Sequence, residues 1–314
     1  MHEPSDIRAG VEIASRPASG RASGIGLAVA SMTTVQLGAA LSEPLFDRIG
    51  AAGTVALRLA LAALILWPFA RPRLRGRSRA DLGAAVALGA CSGLLTLAFF
   101  ESISRIPLGV AVTIQFLGPL GVALAGSRRP RDVGWVLAAG GGIALLTLGD
   151  GAGEPLDAVG VAFALVSGVC WAGYILLTKR VGARWAGLEG LSVSLVVATL
   201  VALPAGIAGA GGELLSLELI AVGIGLAFLV LLPYAFELIA LRRLPTALFG
   251  VIMSLEPAIA ALLGFLILDQ ELKTTGIVAI AMVSIASAGA TLSAREPPVN
   301  EEAPVNEEAP ALSA

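Results

Sequence analysis

Few residues in this chain can do chemistry, and the most telling is Glu256. It stands eleven residues beyond Pro245 in an otherwise apolar stretch. At about 1.5 Å per helical residue that is roughly 16 Å, the middle of a ~30 Å hydrocarbon layer. A carboxylate there costs several kcal/mol unless it meets a polar cavity or a partner, so carrying a proton or holding a cationic amine is the chemistry it offers. Pro257 follows and cannot donate to a helix, so a kink with an exposed carbonyl is expected there; Pro119 and Pro233 invite the same reading. Glu237, behind Pro233 and Tyr234, lies shallower, close to a boundary. Arg58 can clamp a carboxylate or extend its long side chain out to the interface. Trp171 and Tyr174 are three apart and share a helical face, an amphipathic wall if they meet a cavity. Gln36 and Gln115 supply uncharged donors and acceptors, for a ligand or for bonding between helices. These eight polar and aromatic residues are the candidates for a substrate or proton path.

Other chemistries lack their residues. No phosphate-binding loop occurs, and His2 is the single histidine, so neither ATP coupling nor a histidine metal site is expected. Cys91 and Cys170 have no metal-ligand or disulfide spacing and read as packing. No cofactor and no nucleophile constellation is expected, and the chain does not read as an enzyme. A net charge of -2 gives no reason to expect nucleic acid.

The elements that must position these residues are ten apolar stretches, at about 25 to 45, 52 to 70, 81 to 104, 107 to 127, 132 to 149, 157 to 178, 187 to 208, 216 to 240, 245 to 268 and 274 to 293. Backbone polar groups in lipid must be satisfied within the chain, so such stretches predict transmembrane helices and an all-α membrane protein. Hydrophobic residues make up 56% and charged ones 14%, half the charge of a typical soluble domain. Seventeen Lys and Arg fall in alternate gaps and the tails, with the run Arg71, Arg73, Arg75, Arg77 and Arg79 the densest; only Arg48, Arg105 and Lys273 fall in the others. That bias predicts both termini in the cytoplasm. Trp67, Trp135 and Trp185 fall at the cytoplasmic boundaries, where an aromatic belt is expected. Residues 1–24 read as a polar, disordered tail, and residues 294–314, with Val-Asn-Glu-Glu-Ala-Pro twice in succession, as a disordered acidic one. The polar start, followed by a run long enough to span, does not read as a cleaved signal.

Two of these stretches echo one another. Phe100-Glu101 is followed by Arg105-Ile106-Pro107 and then Pro119; Phe236-Glu237 is followed by Arg243-Leu244-Pro245 and then Pro257. Ser31 and Ser167 form a weaker echo. Two copies of five helices, residues 25–149 and 150–293, would lie in opposite orientations, because five is odd. Inverted repeats of this kind are a transporter design with its site near the bilayer midplane.

The motifs Pro107 to Ala111, Gly118-Pro119, Ser127 to Pro130, Cys170 to Ala172 with Tyr174, Leu232 to Tyr234, Glu237 to Leu241 and Met253 to Pro257 together resemble the EamA branch of the drug/metabolite transporter superfamily, and within it the bacterial amino-acid exporters. The resemblance covers about residues 25 to 293. It implies a secondary exporter in a bacterial inner membrane, moving small zwitterions such as threonine or homoserine. Cationic drugs or purine-like metabolites are the alternative cargo; a membrane-embedded enzyme or a sensor is the alternative class. The expected partners are the bilayer, a small-molecule substrate and protons, with oligomeric state left open.

Overall fold

The computed structural model describes residues 18–125, 130–148 and 155–293; residues 1–17 and 294–314 and the loops 126–129 and 149–154 lie outside the described residues, while residues 18–24, expected as part of a disordered tail, form the first turns of a helix. The described chain is all helix, with no strand. In order come α1 (Ala18–Ala40), α2 (Phe46–Ala70), α3 (Arg79–Ile103), α4 (Leu108–Gln115), α5 (Leu117–Ala125), α6 (Pro130–Leu148), α7 (Ala158–Gly182), α8 (Glu189–Ala210), α9 (Leu217–Arg243), α10 (Thr246–Met253), α11 (Glu256–Leu268) and α12 (Thr274–Ser293).

Among the described residues, eight segments are long and apolar enough to cross a membrane. The difference from ten has two sources. The stretches expected at 25 to 45 and 52 to 70 run together as Gly20–Ala70, joined by a 3-10 turn at Glu43–Leu45, and the apolar part of α6, Val133–Leu148, is shorter than the rest. The first helix also starts earlier and stops sooner than its apolar run. Helical geometry continues outward past the hydrocarbon edge to Ala18, while Pro44 disfavours helix at the residue before it, and the chain turns after Ala40.

Starts and stops follow local chemistry. Ser78, Asp157 and Ser216 each accept a backbone N–H from the first turn of α3, α7 and α9. Pro107 and Pro245 sit just before α4 and α10, where a missing N–H costs nothing. Each of these short helices breaks after two turns and a new helix resumes, α5 at Leu117 and α11 at Glu256. Pro119 and Pro257 lie in the first turn of the resuming helices, whereas α9 runs on through Pro233.

Small residues set the packing. α2 lies on α8, α3 on α7 and α8, α1 on α9, and α6 on α12. A Cβ on Gly89 or Gly93 would come within 2.5 or 2.8 Å of a carbonyl oxygen of α8, so these backbones approach as only glycine permits.

Trp185 corrects the aromatic-belt expectation. It is 5% exposed, with Arg77 stacked 4.3 Å from its ring centroid and its indole N–H donated to Asp81 O at 3.3 Å. Arg77 also pairs with Glu189 at 2.7 Å, and Arg184 with Asp81 at 2.9 Å. The loop before α3 and the loop before α8 are thus joined, and Trp185 fills their joint instead of facing lipid. Trp67, at 39% exposed, faces outward as a belt residue would.

Candidate functional site: a cavity between two broken helices

α4 and α11 cross tightly. A Cβ on Gly109 would meet the Ala261 Cβ at 2.7 Å, and the Gln270 side chain accepts the Leu108 backbone N–H at 2.9 Å. Gln115 lies six residues from this crossing along α4, and Glu256 five residues from it along α11, both on the same side. At about 1.5 Å per residue the two helix breaks therefore reach a similar depth, roughly 9 and 7.5 Å from the crossing.

Between the breaks lies a cavity of about 640 Å³. Its floor holds Gln36, Arg58 and Phe100; its walls include Gln115, Trp171, Tyr174, Tyr234 and Glu256. Thr178, Lys179, Leu241 and Thr246, at the ends of α7, α9 and α10, are exposed and form its mouth. The mouth thus lies at the arginine-rich end of the bundle, and the α4–α11 crossing closes the other.

The sequence candidates converge here. Gln36, Arg58, Gln115, Trp171, Tyr174, Tyr234, Glu237 and Glu256, with Pro119 and Pro233, all line the cavity; Pro257 is buried beside Glu256 without lining it. Glu256 is 5% exposed, and its Oε1 accepts the Gln36 amide at 2.9 Å. Its Oε2 and the Gln36 Oε1 are buried with no hydrogen-bond partner among the described residues. Arg58 does not extend to the interface. It is 6% exposed, its Nη1 reaches Gly38 O at 3.5 Å, its guanidinium lies 4.8 Å from the Phe100 ring centroid, and its Nε has no partner among the described residues. Gln36 and Gly38 are two residues apart on α1, so the anionic and cationic groups attach to neighbouring points of one helix.

Two further polar clusters line the walls. Ser31 donates to Glu237 Oε1 at 3.0 Å, tying α1 to α9. Gln115 donates its amide to Ser167 Oγ at 2.6 Å, and Ser167 donates onward to Leu95 O at 3.0 Å. The Trp171 ring meets Phe116 edge to face, with centroids 5.2 Å apart. Glu101, the repeat counterpart of Glu237, instead pairs with Arg105 at 2.6 Å at the far end of α3.

Sequence reasoning passed over Lys179, counted only as a loop charge, and Phe100, noted only within the repeat. The signal for Lys179 was its place at the end of the helix that carries Trp171 and Tyr174. Phe100 gave no signal, since a phenylalanine in an apolar stretch is ordinary. No cluster of three metal-ligating side chains occurs among the described residues.

A bundle of apolar helices around a cavity that holds buried charges of both signs is the build of a membrane transporter. The comparisons agree. Residues 158–292 match the EamA-like transporter family. The threonine/homoserine exporter RhtA of Salmonella typhimurium is 42% identical over 271 residues, 85% of this chain and 91% of its own. RhtA of Escherichia coli is 42% identical over 269 residues, 85% of this chain and 90% of its own. The pseudopaline exporter CntI of Pseudomonas aeruginosa is 29% identical over 191 residues, 58% and 66% of the two chains. A solved crystal structure, 20% identical, aligns over 88% of this chain and 99% of its own at a TM-score of 0.50, a likeness of fold alone. The chain belongs to the EamA-like transporter family.

Proposed function

We propose that this protein is a secondary exporter of small amino acids, with threonine and homoserine as its substrates, working by proton antiport in a bacterial inner membrane with both termini in the cytoplasm. The observation that carries this reading is the pair of incompletely satisfied charged groups in one cavity. The Arg58 guanidinium, with Nε open, matches an α-carboxylate; the Glu256 carboxylate, with Oε2 open, matches an α-ammonium. A cationic drug would answer Glu256 and leave Arg58 unpaired, which disfavours that cargo. The names of the RhtA relatives support the amino-acid class.

The mechanism follows from one buried carboxylate serving two ligands in turn. With the mouth open at the arginine-rich end, an amino acid enters from the cytoplasm, its ammonium displacing a proton from Glu256. The reading takes the chain as ten membrane helices in two inverted five-helix repeats, 25–149 and 150–293, so that the crossing of α4 and α11 opens as α5 and α10 close over the mouth. Release outside leaves Glu256 to take a proton, and the protonated form returns. The test is uptake into inverted vesicles of labelled threonine, homoserine and a cationic dye, with and without a pH gradient. Gradient-stimulated uptake of the two amino acids is the expected result; dye uptake alone would refute the reading.

A further inference from the structure

The Gln115–Ser167 pair lies apart from the charged groups, and its hydrogen bonds run in one direction only. The Leu95 carbonyl can only accept, so the Ser167 hydroxyl must donate its single proton there. Ser167 Oγ is left to accept, so the Gln115 group facing it at 2.6 Å must be the NH2. The amide orientation is thereby set by its neighbours. Its Oε1 meets no donor among the described residues, and Gln115, only 6% exposed, lines the cavity. Gly168 helps hold this arrangement, because its backbone lies so close to Gln115 that a Cβ there would fall 2.9 Å from Gln115 O. The result is a pre-oriented acceptor on a largely buried side chain that lines the cavity at the end of α4, at a depth similar to that of the Glu256 carboxylate.

An amide oxygen cannot bond the α-carboxylate, which has no donor, and the α-ammonium already has the Glu256 carboxylate, so the group left for this acceptor is a side-chain donor. We infer that Gln115 Oε1, aimed by Ser167, accepts the side-chain hydroxyl of the substrate and so selects hydroxylated amino acids over their deoxy counterparts. A group built to bond a hydroxyl discriminates against the analogue that lacks it, since the acceptor is then left unpaired in a desolvated site. The inference rests on the amino-acid reading above and assigns to Gln115 the reading of the hydroxyl that both proposed substrates carry.

L-2-Aminobutyrate is the deoxy form of both threonine and homoserine, so one analogue tests both. Initial rates of uptake of the three labelled compounds into inverted vesicles carrying the full chain give a hydroxyl-to-deoxy ratio. The wild-type protein should favour the hydroxylated pair about tenfold, as expected of one buried hydrogen bond. Gln115→Met, close in shape but without the acceptor, should bring the ratio near one. Ser167→Ala, which keeps the acceptor but frees the amide to rotate, should lower it about threefold, and it decides the matter if Gln115→Met does not insert. A wild-type ratio of one, or a ratio unchanged in the variants that insert, overturns the inference while amino-acid transport stands. Wild-type vesicles that move none of the three compounds remove the amino-acid reading itself, and the selectivity with it.

Discussion

Replacing Arg58 by Met separates what this side chain does for transport from what it does for the fold. In the structure its guanidinium is held by little: a 3.5 Å contact to Gly38 O at the outer limit of hydrogen bonding, and the face of Phe100 at 4.8 Å. The ring contact contributes about 0.5–2 kcal/mol. Against it stands an effective penalty of several kcal/mol for keeping an unpaired ion from water. Met preserves much of the volume and removes the ion, so Arg58→Met should be at least as stable as the parent, by roughly 1–2 kcal/mol on this balance, read as thermal unfolding in detergent. Transport should move the other way. Loss of a charge-assisted bond to a substrate carboxylate costs about 1.5–3 kcal/mol, which is roughly a tenfold to hundredfold rise in the threonine concentration for half-maximal uptake. Threonine amide, which has no carboxylate, supplies the control: the parent should prefer the free acid, and the variant should treat acid and amide alike. An Arg58→Met protein that unfolds earlier and still prefers the acid would show that the guanidinium holds the bundle together and does not meet substrate.

Glu256→Gln keeps the shape and the contact with Gln36 but exchanges no proton; it should insert normally and lose pH-gradient stimulation of threonine uptake, and wild-type pH dependence would dismiss the coupling role. Cys placed at Ser78 should react only with cytoplasmic reagent and Cys placed at Gly212 only with external reagent, since the two positions belong to loops of opposite charge character; labelling of both from one side would remove the proposed orientation. Gly118→Ala would put a Cβ 2.1 Å from the Gly168 backbone oxygen, forcing α5 from α7 at a cost of about 1–3 kcal/mol or more. Gly121→Ala in the same helix meets nothing within 4 Å and should leave the unfolding temperature no lower, with a rise of up to about 1 kcal/mol in stability from helix propensity.

The polar residues of the cavity were legible because lipid makes every buried charge conspicuous. Glu256, Arg58, Gln36 and Gln115 stand out from apolar surroundings, and the cavity gathers them all. Their partners were not legible. The Gln36–Glu256 contact joins residues 220 apart, and nothing local to either residue points to the other. The side to which Arg58 turns was equally hidden, because outward extension and inward burial require the same sequence; the position of Gly38 and Phe100 decides it. Repeat arithmetic placed Glu101 and Glu237 in equivalent positions, yet one pairs on a helix end and the other faces the cavity. Arg105, four residues from Glu101, makes that difference; the arginine that echoes it, Arg243, stands six residues beyond Glu237 and donates to Ser23 at 2.8 Å instead. Trp185 misled because boundary position describes both a lipid-facing ring and one enclosed by two loops.

The contacts that draw α4 and α11 together are the small residues Gly109 and Ala261 and one bond from the Leu108 amide to Gln270. None of these contacts carries a net charge. Parting these contacts therefore liberates no ion that must be hydrated, and dissolved salt has nothing among them to weaken. What does bear on such a seam is the sideways squeeze that lipid chains exert on closely fitted helices. If α4 and α11 part during export as proposed, the pace of that step should follow the thickness and lateral pressure of the surrounding bilayer more than the ionic strength of the fluid on either side.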